Sequence, residues 1–134
     1  MRTRMRMTER QVGGVTILDL TGTITIDDDA GRLKDKINSL VQQQRTSVIL
    51  NLADISYIDS GGLGQLVASY AALAKTGGGL KLLNVTKRNH DLLSITRLAL
   101  IFSTFDREDE ALRSFDTVPS SQDFLRLSST SAAV

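Results

Sequence analysis

The order of apolar periods along the chain predicts an α/β fold, a single domain with a mixed sheet of about five strands and about four helices. Short runs rich in β-branched residues alternate with segments whose apolar residues recur every three or four positions, the mark of strand-helix-strand units. The first two strand-like runs are separated only by Gly13-Gly14, so a β-hairpin opens the sheet before right-handed parallel crossovers take over. At 134 residues there is room for one core and short tails, because single domains usually run about 100 to 200 residues.

The β pattern begins at Gln11-Val12, turns at Gly13-Gly14 and continues through Val15-Thr16-Ile17-Leu18-Asp19-Leu20. Gly22 is expected to end the second strand, and Thr23-Ile24-Thr25-Ile26 to form an extended connection. Asp27-Asp28-Asp29 then suits a helix start, where the macrodipole favours carboxylates. Ala30, Leu33, Ile37, Leu40 and Val41 make one apolar stripe, with Arg32, Lys34, Asp35 and Lys36 largely off it, so a surface helix packs on the sheet there. Ser47-Val48-Ile49-Leu50-Asn51-Leu52 is nearly continuous in its apolar character and suits a central strand covered on both faces.

A second amphipathic helix follows through Leu63, Leu66, Val67, Tyr70, Leu73 and Ala74, and Gly77-Gly78-Gly79 ends it, as glycine after a last helical turn commonly does. Leu80-Lys81-Leu82-Leu83-Asn84-Val85 is another strand. Thr86 can cap a third helix through Asp91, Leu92, Leu93 and Ile95, with Leu92, Leu93, Ile95 and Leu98 expected in the core. Ala99-Leu100-Ile101-Phe102 reads as a short strand. Asp106-Arg107-Glu108-Asp109-Glu110 opens a last helix that continues through Ala111, Leu112 and Phe115. Residues 1–7 are expected to be a flexible basic N-terminus, 8–118 the folded domain, and 119–134, beyond Pro119, a Ser-rich tail too poor in apolar surface to order itself.

Composition narrows the chemistry. With no cysteine there are no disulfides, thiolate metal sites or cysteine nucleophiles, and the single histidine, His90, leaves little for a zinc site. Neither a cofactor nor a metal is expected. Sixteen basic against fifteen acidic residues, with no Trp, two Tyr and four Phe, argue against an electrostatic or base-stacking nucleic-acid binder. No apolar run approaches the roughly 20 residues of a membrane span, and no apolar signal-peptide core follows the N-terminal arginines. The cytoplasm is the expected compartment.

Asp59-Ser60-Gly61-Gly62-Leu63-Gly64 lies where a strand gives way to a helix, and four readings of it compete. Ser60 near the N-cap could simply accept from amides of the first turn. A protease-like Asp-Ser-Gly-Gly loop fails because Ile58 precedes the aspartate and nothing places His90 beside Ser60. An anion-binding turn is conceivable, although Gly-Gly-x-Gly alone is weak evidence for one. Finally, Ser60 could itself accept a phosphoryl group, gaining roughly −1.5 to −2 charge at a helix start. Glycines 61, 62 and 64 would keep the neighbourhood low for a partner. Among the remaining candidates, Asp27 to Asp29 read as solvated carboxylates, His90 as structural, and Lys87 and Arg88 as a solvated face.

The run from Leu50 to Gly64, with Gly22, the Gly77 to Val85 segment and the closing helix holding Asp109, Glu110 and Ala111, resembles the STAS domain family, in particular bacterial anti-sigma factor antagonists. The likeness covers about residues 8 to 116. It implies a non-enzymatic regulator. In that family the serine after the motif aspartate is phosphorylated by an anti-sigma factor that is also a serine kinase. The unphosphorylated antagonist binds that kinase and frees a sigma factor, and a serine phosphatase resets it. The resemblance maps the phosphorylation site onto Ser60 and the partner-binding surface onto Asp59, Ser60, Gly61, Gly62 and Leu63, with Asp59 supporting the loop. Many antagonists carry an acid soon after the strand-ending glycine; here Thr23 and Thr25 stand in that stretch, and Asp27 or Asp28 is expected to supply the charge. Neither a nucleic acid nor a membrane is an expected partner, and the chain is expected to be a monomer or weak homodimer. A STAS scaffold or nucleotide-sensing module, working without covalent change, is the alternative.

Overall fold

The computed structural model describes residues 4–27 and 29–117. Expectations for Asp28 and for the Ser-rich segment after Pro119 lie outside the described residues. The elements run β1 (Arg6–Val12), β2 (Val15–Ile24), α1 (Asp29–Gln42), β3 (Ser47–Ile58), α2 (Ser60–Lys75), β4 (Gly79–Leu83), α3 (Lys87–Ile95), a 3-10 turn (Leu98–Leu100), β5 (Ser103–Phe105) and α4 (Glu108–Thr117). The sheet has the order β1-β2-β3-β4-β5. Only β1 and β2 are antiparallel; the other neighbours are parallel, so the fold is the mixed α/β sheet that the periodicity predicts.

Gly13 and Gly14 close the hairpin with φ of 54° and 85°, the positive pair that a two-residue turn between twisted strands demands. The first strand starts earlier than the expected flexible terminus allows: it begins at Arg6, and the Met5 side chain is fully buried in the main core. Burial of that thioether surface anchors the segment. Arg32 of α1 also donates to the Met5 carbonyl, and Lys36 pairs with Glu9 at 2.9 Å.

The main core lies between the sheet and α1, α2 and α3. Leu33, Ile37 and Leu40 from α1, Leu63, Leu66 and Leu73 from α2, and Leu93 from α3 meet Leu18, Leu20, Val48, Leu50 and Leu82 from the strands. A smaller cluster on the opposite face joins Val15, Ile17, Ile49 and Leu83 to Ala111 of α4. Glycine ends α2 as expected, with Gly77 at a φ of 86° and the Gly78 N–H donating to the Leu73 carbonyl at 3.0 Å.

Two expected boundaries move. Gly22 does not end β2, which runs on to Ile24; with a φ of 99° it sits at an irregularity of the pairing with β3. The apolar run Ala99 to Phe102 is not a strand: it divides between the 3-10 turn and a link into β5 at Ser103. Phe102 is buried in the core, meeting Tyr70 edge-on at 5.6 Å, and Ala99 packs half-buried against the same cluster.

Candidate functional site

The site is built by the second half of β3. Asp19 pairs with Asn51, but Thr21 pairs with Asp54, and Gly22 pairs with Ile55 whereas Thr23 pairs with Tyr57. At each step β3 carries one residue more than β2, as in a bulge. Each extra residue would shift the alternation to the wrong face, so the apolar residues step by three. Leu52, Ile55 and Ile58 thereby all reach the main core, and Ile58 delivers the chain to Asp59 at the start of α2.

Asp59, not Ser60, is the N-cap. Its backbone is extended and its Oδ1 accepts from the Gly62 N–H at 2.8 Å. Its Oδ2 accepts from the Ile26 N–H at 3.0 Å, while its own N–H donates to the Ile24 carbonyl at 3.1 Å. One side chain therefore caps α2 and ties it to the connection leaving β2. The carboxylate has the geometry for this because it offers two acceptors at the end of a short side chain, which the serine hydroxyl expected near the cap lacks.

Ser60 is the first residue of α2 and is exposed. The Gly62 N–H is taken by Asp59, and the Leu63 N–H donates to the Asp59 carbonyl at 2.8 Å. The N–H groups of Ser60 and Gly61 have no partner among the described residues, as is usual in a first helical turn. An anion on the Ser60 hydroxyl would thus sit at the positive end of a 16-residue helix.

Gly61 and Gly62 have a reason other than the open surface expected from the sequence. A Cβ on Gly61 would lie 2.3 Å from Ile26 Cβ, and one on Gly62 would lie 2.1 Å from the Ile24 carbonyl oxygen. Only glycine allows α2 to lie so close to the end of β2. Gly64 differs, with nothing within 4 Å of its added Cβ. Leu63 is buried beneath the turn.

Asp27 is exposed on the same connection, and Asp28 lies outside the described residues. Two residues that the sequence reading passed over are exposed close to the turn. Ile26 is 68% exposed and packs beside Gly61, and Tyr57, 42% exposed, precedes Ile58 with the Arg88 guanidinium 5.6 Å from its ring. Tyr57 stands where the alternation of β3 breaks, whereas Ile26 only continues the alternation of Ile24 past the end of β2, so its pattern gave no sign of its exposure. His90 is exposed on α3, and no group of three His, Cys, Asp or Glu among the described residues could hold a metal ion. No helix among them is long and apolar enough to cross a membrane.

The reverse face carries a polar network without a counterpart in the motif. Arg10 of β1 donates to Asp19 at 2.6 and 3.0 Å and to Glu108 of α4 at 2.8 and 3.2 Å; Asn51 donates to Asp19 at 2.8 Å and Asn84 to Asn51 at 3.2 Å. The Arg10 guanidinium holds the Asp19 carboxyl below the usual carboxylate range. This network fastens α4 to the hairpin and leaves the Ser60 end of the molecule clear.

Comparison with known proteins gives a consistent picture. The STAS domain family matches residues 6–111. The chain is 26% identical over 106 residues to the anti-sigma F factor antagonist of Paenibacillus polymyxa, a match covering 78% of this chain and 90% of that protein. It is 39% identical over 66 residues to the anti-sigma-B factor antagonist of Bacillus subtilis (strain 168), covering 49% and 60%. Among solved structures, the Bacillus cell fate determinant SpoIIAA in its phosphorylated form shares the fold at a TM-score of 0.66 and 21% identity, with 81% of this chain and 98% of that chain covered.

Proposed function

The chain belongs to the STAS domain family, by its match over residues 6–111, and from that premise we propose that it is an anti-sigma factor antagonist switched by phosphorylation of Ser60. In this reading the chain is a regulator and not an enzyme. Unphosphorylated, it binds a cytoplasmic anti-sigma factor that is also a serine kinase, and so frees a sigma factor for transcription. The kinase supplies ATP and its own base: the Ser60 oxygen bonds to the γ-phosphorus, the bond to the β-phosphate oxygen breaks, and ADP leaves. A serine phosphatase returns the hydroxyl by hydrolysis.

The observation that carries this reading is the position of Ser60. It is exposed at the first position of α2, on a turn held by Asp59 and by two glycines packed against the end of β2. A hydroxyl there can enter another protein's active site without disturbing the fold. Once modified, it changes the local charge by roughly −1.5 to −2. The first-turn amides of Ser60 and Gly61, which have no partner among the described residues, and the helix dipole favour the phosphate, whereas Asp59 opposes it, so the fold tolerates the group while the partner meets a changed surface. The relatives named as antagonists, and a fold relative solved in a phosphorylated form, support the same reading. Asp27 and Ile26 would contact the partner from the neighbouring connection.

The test is incubation of the chain with its anti-sigma factor and ATP, with the phosphate located by mass spectrometry. One phosphate at Ser60, absent from Ser60→Ala, is expected. Ser60→Asp should bind the anti-sigma factor at least about tenfold more weakly, about 1.4 kcal/mol, with an unchanged circular dichroism spectrum. Phosphate at another residue, or equal affinity of Ser60→Asp, refutes the switch.

A further inference from the structure

Two adjoining depressions run along α3 and the 3-10 turn after it. The first, about 660 Å³, has Tyr57, Ile58, Leu92 and Ile95 in its wall and Lys87 and Arg88 at its rim. The second, about 390 Å³, is bounded by Ser94, Ile95, Arg97, Ala99 and Leu100. Ile95 belongs to both, so they form one groove. Its apolar side chains are unusually bare: Ile95 is 80% exposed and Leu100 84% exposed. This corrects the expectation that Ile95 belongs to the core. α3 turns Leu93 inward, and Ile95, two positions on, must then point away from the sheet.

Exposed apolar side chains clustered in a depression and rimmed by charge mark an interaction surface. The charges here are of one dominant sign. Lys87 and Arg88 stand at one end and Arg97 at the other, all exposed. Arg88 is held over the Tyr57 ring. Against these three cations the groove carries one carboxylate among the described residues, Asp91, which pairs with Lys87 at 3.5 Å; His90 is the other titratable group on α3. An occupant that matches must be apolar in the middle and acidic towards both ends.

We infer that this groove docks an acidic amphipathic segment of a second protein partner, at a surface beside the Ser60 turn but separate from it. An open groove spanning two depressions suits a peptide segment better than an enclosed small molecule, and three cations fall short of the polybasic cluster that holds a protein on an anionic membrane. The inference does not depend on phosphorylation of Ser60.

The test is titration of the isotope-labelled full chain, followed by NMR, with a synthetic helical peptide that carries two leucines one turn apart between glutamates. Saturable shifts confined to residues 57–58 and 87–101 are expected. Leu100→Asp and Arg97→Glu should each weaken binding by about tenfold or more, with circular dichroism unchanged, since both side chains are exposed. No saturable shift at millimolar peptide overturns the inference, as does equal binding of a peptide with lysines in place of the glutamates. Binding to phosphatidylserine vesicles but not to peptide would assign the groove to a lipid surface and also overturn it. Tighter peptide binding by Phe124→Ser/Leu127→Ser would show that the chain's own last residues occupy the groove, and a dimer abolished by Leu100→Asp would assign it to a second copy; either result overturns the inference.

Discussion

Replacing Asp59 with alanine tests whether one side chain joins α2 to the connection leaving β2. The substitution removes the cap on the Gly62 N–H, at 2.8 Å, and the link to the Ile26 N–H, at 3.0 Å. A lost N-cap costs about 1 kcal/mol, and a hydrogen bond to a charged acceptor contributes about 1.5 to 3 kcal/mol. Asp59 is half-buried, so the lower end applies to the second, and the total is about 2 to 3 kcal/mol. In a domain of this size that lowers the melting temperature by roughly 8 to 12 °C. Asp59→Asn keeps one acceptor for Gly62 but turns an N–H₂ towards the Ile26 N–H, so it should fall between the two. Thermal melts give the size of the loss, and amide hydrogen exchange gives its location: the Ile26 amide should lose protection in Asp59→Ala. A loss below about 0.5 kcal/mol, or an Ile26 amide as protected as before, would refute the bridging role.

The glycines of the turn predict opposite signs. Gly62→Ala should destabilise by about 2 kcal/mol or more, because its Cβ meets the Ile24 carbonyl at 2.1 Å, whereas Gly64→Ala, with nothing within 4 Å, should stabilise by about 0.5 to 1 kcal/mol; thermal melts of the pair decide. Gln44, which follows α1 with a φ of 60°, should gain about 1 kcal/mol on replacement by glycine, read from denaturant midpoints. For acid stability, Asp19 has a folded pKa depressed chiefly by its hydrogen bond to Arg10. Its stabilisation is therefore complete above the unfolded value of about 4 and is lost as pH falls towards the folded value. Arg10→Met should flatten the loss of stability below about pH 4; an unchanged slope in urea titrations across that range would refute it. Asp109, drawn down to about 2 by Arg107, titrates in the same window, but its exposed pair contributes little.

Where side-chain periodicity is local, the sequence was sufficient. The hairpin at Gly13-Gly14, the stripes of α1 and α2, the Thr86 cap of α3, whose Oγ1 accepts from the Asn89 N–H at 3.3 Å, and the acidic first turn of α4 each depend on residues within one turn of each other. The strand misplaced at Ala99 to Phe102 shows the limit. Four apolar residues in a row carry no period, and only their exposure, from buried Phe102 to bare Leu100, separates a core anchor from a surface. Likewise Ile95 fits a helical stripe by spacing alone, yet α3 is only nine residues long and has one buried side.

The motif itself lay in the least legible part of the chain. From Leu52 to Ile58 the apolar residues are three apart, which suits neither a strand, with its period of two, nor a helix over so short a run, and on that evidence the strand ends at Leu52. In the structure it continues for six more residues, to Ile58. The period of three is the sum of a period of two and two inserted residues, each visible only against the partner strand, where Thr21 meets Asp54 and Thr23 meets Tyr57. Those insertions also set the site. Without them Ile55 would face the other side of the sheet, and Ile24 would pair with Ser56 in place of Ile58, so that Asp59 would lie two residues further beyond the end of β2. The Asp-Ser-Gly-Gly letters therefore mark the place of the site, while its geometry is fixed by a pairing irregularity that begins eight residues earlier, between Asn51 and Asp54.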